Sequence, residues 1–210
     1  MKIFNASDIK NMEQRYRVNL ISNISGLRSA NLIATKSESG QTNVSIFNTV
    51  TPIGSNPPLI GFIMRPTHVE RHTYENILET QKFTINQINT SIFKNAHLTS
   101  AKYPREVSEF ESCGLEQFYH EDFEVPYVKG SLIKIGLTLE EEIHIRSNDT
   151  RLIIGSVDQV ICEENVVEKD GHLNHKDTKT IAIGGLETYY QVEYLGRFGY
   201  ARPGEPLQIK

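Results

Sequence analysis

The densest chemistry in the sequence lies in one short run, Arg65-Pro66-Thr67-His68-Val69-Glu70-Arg71-His72-Thr73. Arg65, Arg71 and His72 precede a helical pattern for which Thr73 is the expected N-cap. A helix N-terminus presents unpaired N–H groups and partial positive charge, and guanidinium forks match phosphate oxygens. The run therefore has the makeup of an anion site. It also reads as ordinary solvated charge, with Glu70 and Glu75 as weak partners of the arginines. A second run, Asn43-Val44-Ser45-Ile46-Phe47-Asn48-Thr49, places Asn43, Ser45, Phe47 and Thr49 on one strand face. Such a face is either the solvated side of a sheet or one wall of a groove that orients a flat apolar ligand.

Other reactive types form no set. Cys113 and Cys162 have no His or Asn arrangement that marks a nucleophile. His68 and His72, or His172 and His175, have helical spacing for a metal, but no third ligand accompanies either pair, and no metal site is expected. In Glu140-Glu141-Glu142 the outer two fall on the polar face of a strand, which leaves Glu141 on the apolar face without an explanation. No catalytic acid, base or nucleophile is assigned.

The elements that must position these residues are mostly strands. A first helix is expected after Ser7 or Asp8, with Ile9, Met12, Tyr16 and Leu20 at helical spacing and Gly26 as a stop. Period-two patterns follow: Asn31–Lys36, a turn over 37–41 with Gly40, and a partner strand over 43–50. Residues 59–64 are apolar on both faces, with Asn56-Pro57-Pro58 stiffening their entry and Pro66 ending them. The short helix beginning at Thr73 has Tyr74, Ile77 and Leu78 as its expected buried stripe. A strand over 82–88, a loop-rich stretch over 91–128 and two long strands over 132–145 and 151–162 complete the outline. Many strands, few helices and hairpin connections point to a closed antiparallel barrel with helices attached, not to a dinucleotide fold of βα units.

Composition bounds the rest. A length of 210 residues is about 1.4 times a typical ~150-residue domain, which we read as a single domain over 1–210. The balance of 22 basic against 26 acidic residues, net −4, lacks the basic excess of a nucleic-acid binder. No apolar run approaches the ~18 residues of a membrane span, and Met1 to Asp8 lacks the apolar core of a secretory leader. A cytoplasmic location is the expectation, and the Asn-x-Ser/Thr triplets at Asn23, Asn43 and Asn148 are then chance matches.

Several segments, in order, resemble the FMN-binding split-barrel proteins of the flavin reductase-like family. They are Ser45-Ile46-Phe47-Asn48, Gly54-Ser55-Asn56-Pro57-Pro58-Leu59, Arg71-His72-Thr73-Tyr74-Glu75-Asn76-Ile77 and Thr99-Ser100-Ala101 with Ser108-Glu109-Phe110. Ile154-Gly155-Ser156-Val157, Tyr189-Tyr190 and the ending Arg197-Phe198-Gly199-Tyr200-Ala201-Arg202-Pro203 continue the series. The resemblance implies a mainly β, six-stranded antiparallel split barrel with peripheral helices, and FMN in a groove between two copies of a homodimer. It implies that Arg71, His72 and Thr73 hold the FMN phosphate, with Arg65 adding charge. Ser45, Ile46, Phe47, Asn48 and Thr49 would border the ring and ribityl chain. Main-chain groups of Ala30, Asn31 and Leu32 would face the polar edge of the ring, and Ser100 and Ala101 would close over the cofactor. His97 would be a satisfied structural histidine, and Tyr200 an anchor for the chain's end. Many NAD(P)H-using members carry Gly-Asp-His-Thr where this chain has Asn148-Asp149-Thr150-Arg151. The donor is therefore open: an oxidoreductase fed by NAD(P)H or another donor, or a non-catalytic FMN carrier.

Overall fold

The computed structural model describes residues 1–210. The expected first helix is two: α1 (Ala6–Asn11) and α2 (Gln14–Asn23). Asn5 and Asp8 form a reciprocal capping box at the start of α1. Glu13 then accepts from the N–H groups of Arg15 and Tyr16 and starts α2 afresh, so the chain breaks at Met12. Neither helix buries a residue, so the spacing of Ile9, Met12, Tyr16 and Leu20 marks no core stripe.

The short β1 (Arg28–Ser29) leads into β2 (Asn31–Lys36), which pairs with β3 (Thr42–Phe47) across the expected turn, where Gly40 takes a φ of 91°. Next come β4 (Thr51–Ser55), β5 (Pro58–Met64), α3 (His72–Thr80) and β6 (Lys82–Gln87). The loop-rich middle holds α4 (Phe93–Leu98), α5 (Glu109–Ser112), β7 (Gln117–Phe118) and β8 (Tyr127–Val128). The long strands β9 (Ile133–Ile145) and β10 (Thr150–Cys162) follow, then β11 (Ile181–Gly184) and β12 (Thr188–Gln191).

Seven strands form one antiparallel sheet in the order β3-β2-β6-β9-β10-β5-β4. The fold is the expected mainly β split barrel; the seventh strand is β4, whose five residues are all exposed. With no buried alternation and with Pro52 and Gly54 inside it, β4 has no sequence signature of a strand. Just past β3, the Thr49 hydroxyl accepts the Ile63 N–H at 3.1 Å and lies 3.3 Å from the Ile63 carbonyl oxygen. This contact draws the end of β3 against β5 and curls the sheet into a barrel.

Alternate residues of β2 serve two cores. Ile33 faces inward to Phe62, Phe83, Ile85, Leu137 and Ile153, whereas Leu32 and Ala34 face outward to a cluster built with α4, α5 and β11. A Cβ on Gly155 would lie 2.6 Å from the Phe83 ring, so only glycine lets β10 cross there.

The register of β9 against β10 explains the odd glutamate. Leu139 faces Gly155 and Glu141 faces Ile154, so Glu140 is a bulged extra residue. Beyond the bulge the faces exchange. Glu142 lies opposite the buried Ile153 and turns inward, while Glu141 turns outward and Ile143 is 41% exposed. Glu140 and Glu142 therefore do not share the polar face expected from strict alternation.

Candidate functional site

The N-terminus of α3 differs from expectation in one residue-level detail. Arg71, not Thr73, is the N-cap residue, and no side chain caps the helix. Thr73 lies inside the first turn and is buried, its hydroxyl accepting from Asn43 Nδ2 at 2.9 Å. Asn43 also approaches Thr35 Oγ1 at 3.4 Å, and Asn76 donates to that same oxygen at 3.0 Å. The helix thus packs a polar face, Thr73 and Asn76, onto β2 and β3, with Ile77 as its single buried apolar residue. Leu78, expected inside, is 41% exposed. A stripe read from apolar residues alone misses a helix seated by hydrogen bonds.

Around this turn the positive charge is unneutralised. Arg71 Nε donates to the Pro66 carbonyl at 3.3 Å, and neither Arg71 nor Arg65 has a carboxylate partner. Burial, and then the charge of Arg65, press Arg71 below the usual guanidinium range. Glu75 is occupied elsewhere: Oε1 takes the backbone N–H of Arg71 at 3.0 Å and Oε2 pairs with Arg105. Arg105 also reaches Asn76 Oδ1 at 3.3 Å, tying the 99–107 loop to α3. Its sequence signal was weak, a lone arginine in a loop.

Glu109, which the sequence placed within a family-like segment but gave no role, also belongs to this region. It is buried, and Oε2 accepts the Val44 N–H on the free edge of β3 at 3.2 Å. Burial pushes its carboxyl up; its own N–H, that of Val44 and the charge of His72 pull the other way. A buried carboxylate therefore stands within electrostatic reach of His72, the first residue of α3.

The remaining expected residues surround the same corner in different ways. Ser45, Ile46, Phe47, Asn48 and Thr49 are half-buried. Phe47 packs edge-on against Phe62 with ring centroids 5.1 Å apart. Asn48 Nδ2 donates to the Gly185 carbonyl at 2.6 Å, which links this strand to the β11–β12 turn and leaves Oδ1 as its acceptor. Ala30, Asn31 and Leu32 are buried; Asn31 and Leu32 pair with β3 on one side and β6 on the other, and the Ala30 carbonyl accepts the Ile88 N–H at 3.0 Å, so the Ala30 N–H is the main-chain group left without a backbone partner. Ser100 and Ala101 are exposed just past α4, their N–H groups held by His97 and Leu98. His97 itself meets the Tyr189 hydroxyl at 2.8 Å.

At the β9–β10 turn, Asp149 takes a φ of 60° and its carboxylate contacts His144 at 2.7 Å. His68, from the arginine-bearing loop, lies 3.9 Å from the other carboxylate oxygen. The turn thus gathers two histidines that no local sequence motif announces. Two open clefts, of about 570 and 350 Å³, lie elsewhere, on either side of Lys36 and Tyr119, and touch none of the residues at the α3 terminus.

The β-barrel thus brings an uncapped helix end, two arginines without carboxylate partners and the half-buried residues 45–49 to one corner. The chain belongs to the flavin reductase like domain family, whose model matches residues 28–182. It is similar to a split-barrel domain protein from Shewanella frigidimarina assigned as a flavin reductase, with 42% identity, 96% of this chain and 100% of that one covered, and a TM-score of 0.92. Nitrilotriacetate monooxygenase component B from Bacillus cereus shares the fold at 23% identity, with 94% and 98% coverage and a TM-score of 0.82. A curated relative is an uncharacterised protein of Aquifex aeolicus, 24% identical over 166 residues, or 78% of this chain and 83% of that protein. The chain is a flavin-handling oxidoreductase. No helix in it is long and apolar enough to cross a membrane.

Proposed function

We propose that the chain, working as one domain over 1–210 in the cytoplasm, binds FMN and passes reducing equivalents through it. The observation that carries this reading is the unneutralised pair Arg65 and Arg71 beside the uncapped start of α3. The donor set fits a phosphate monoester: free N–H groups at the helix start, two guanidinium groups and the His72 ring. Arg71 is held by Pro66 and so is already oriented, which lowers the ordering cost of binding. Thr73, fixed through Asn43, keeps the first helical turn in register with β3. Residues 45–49 form the wall along which the ring and ribityl chain lie, with Asn48 presenting Oδ1. The stretch Ala30, Asn31 and Leu32 borders the polar edge of the ring, with the Ala30 N–H as its donor because the sheet takes the other main-chain groups, and Ser100 and Ala101 close the phosphate end.

Bound flavin supplies the hydride acceptance and electron transfer. The protein's residues bind, orient and exclude water, and no general base is needed. In this reading the flavin lies between two copies of a homodimer, because residues 45–49 give the ring only one wall in a single chain. The reductant is a nicotinamide nucleotide.

The test is a visible spectrum of the purified protein soaked with FMN, followed by anaerobic addition of NADH or NADPH. Flavin bands that persist through gel filtration and then bleach support the reading. Failure to retain flavin removes the FMN assignment, and retention without bleaching removes the nicotinamide donor and leaves another electron source.

A further inference from the structure

The 99–107 loop runs beside the first turn of α3, where the proposed phosphate seat lies, and it is tied down on three sides. Arg105 pairs with Glu75 and donates from Nη2 to Asn76 Oδ1 at 3.3 Å. Asn76 is 3% exposed and its own amide donates to Thr35, so Arg105 supplies the donor that this buried oxygen needs. An exposed ion pair alone holds little. The bond into the buried polar seam is what fixes the loop's place. Tyr103 is half-buried against the outer core, and its hydroxyl lies 3.5 Å from Cys113 Sγ. At the far end Gln41 Nε2 donates to the Glu106 carbonyl at 3.3 Å, and the Ser108 and Thr42 hydroxyls meet at 2.9 Å. Between these ties Ser100, Ala101 and Lys102 are exposed. The facing wall, the 65–71 loop, is held in the same manner. Arg151 donates to Thr67 at 3.2 Å, and Arg71 to the Pro66 carbonyl at 3.3 Å.

We propose that Arg105 is a positioning residue that latches the 99–107 loop over the phosphate end of the site, and that the latched seat keeps FMN as a resident cofactor instead of a flavin exchanged at each turnover. Glu75 is the node. Its Oε1 accepts the N–H of Arg71 at 3.0 Å while Oε2 takes Arg105, so one carboxylate joins an arginine of the seat to the loop that closes it. The pairing also neutralises a carboxylate that would otherwise repel phosphate from the same helical turn. Exchange at each turnover would require one wall to open, breaking the bonds of Arg105 or those of Thr67 and Arg71. A seat organised before its ligand arrives has little ordering left to do on binding, and the affinity gained appears as slow release. This inference rests on the FMN reading above and adds that the flavin stays, so electrons leave to an acceptor other than a departing flavin.

The experiment loads the full chain with FMN, dilutes it rapidly and follows the recovery of free-flavin fluorescence. FMN is expected to leave more slowly than about 0.1 s⁻¹, roughly 100-fold below a typical turnover of ~10 s⁻¹. Arg105→Gln should release FMN about 10-fold faster. Arg105→Lys, which keeps a charge for Glu75 but not the fork to Asn76, should fall between. Riboflavin affinity should stay the same in both variants, whereas a general loosening of the fold would weaken both flavins; circular dichroism verifies that the barrel is intact. Release from the unaltered chain as fast as turnover would refute retention while FMN binding stands. Unchanged release in Arg105→Gln, or equal losses for FMN and riboflavin, would refute the latch. If the unaltered chain binds no FMN, this inference and the reading beneath it both fall.

Discussion

Two arginines on either side of α3 stand in opposite environments. Arg151, on β10, pairs with Glu142, donates to Thr67 Oγ1 at 3.2 Å and lies 5.4 Å from the centroid of the Tyr74 ring. The bond to Glu142 raises it above the usual guanidinium range. Tyr74 completes this corner: its hydroxyl donates to Glu142, and burial, then Glu142, push its own ionisation up. Arg71 has no carboxylate and is pressed the other way. The same side chain is a structural tie in one place and a vacant electrostatic demand in the other. The fold supplies the carboxylate for Arg151 through the Glu140 bulge, which turns Glu142 inward. It withholds one from Arg71 by assigning Glu75 to Arg105 and to the backbone. The arginine without a partner is the one free to take a ligand's charge.

The largest expected effect comes from removing the unpaired charge. Arg71→Ala should cost about 1.5–3 kcal/mol of FMN binding, roughly 10- to 150-fold in dissociation constant, while riboflavin binding changes little. Fluorescence titration of both ligands checks it, and equal losses for the two would break the contrast between the arginines. Next, Asn43→Ala strips the buried Thr73 hydroxyl of its donor and should lower stability by about 1–3 kcal/mol in urea unfolding, with weaker FMN binding as a consequence. A smaller effect is expected on the paired side. Glu142→Gln should lower the melting temperature by a few degrees and leave FMN affinity unchanged; a loss of FMN affinity there would erase the division of roles.

The smallest effect is a pH slope. The Glu109 carboxyl is raised in the folded chain, so the folded state holds its proton where the unfolded chain, near 4.5, has released it. Stability from this group is therefore present below that range and declines as pH rises through the folded value. Glu109→Gln keeps an acceptor for the Val44 N–H and should flatten the decline, measured as melting temperature against pH. An unchanged slope would show that Glu109 does not titrate abnormally.

Much of this arrangement is legible in the sequence because buried strands leave an apolar signature, alternating where one face is buried and continuous where both are. Asn31–Lys36 and the apolar run ending at Met64 are of this kind, and Gly40 marks the turn between β2 and β3. What the sequence hides is what does not use apolar burial. The exposed β4 has no pattern, α3 is seated by Asn43, Thr73 and Asn76, and the bulge at Glu140 exchanges the faces of β9 without a glycine or proline to announce it. In the site, the arginines and the helix start could be read from residue type and order. Glu109 and Arg105 could not, because their partners, Val44 and Glu75, are 65 and 30 residues away.

The central claim is that the start of α3 is a phosphate seat. Its most direct test is the ratio of FMN to riboflavin affinity in the unaltered protein, measured by fluorescence quenching at low and high salt. The account predicts FMN binding at least 10-fold tighter at low salt, with the advantage shrinking as salt screens the arginines. Equal affinity for the two flavins at every salt concentration would contradict it.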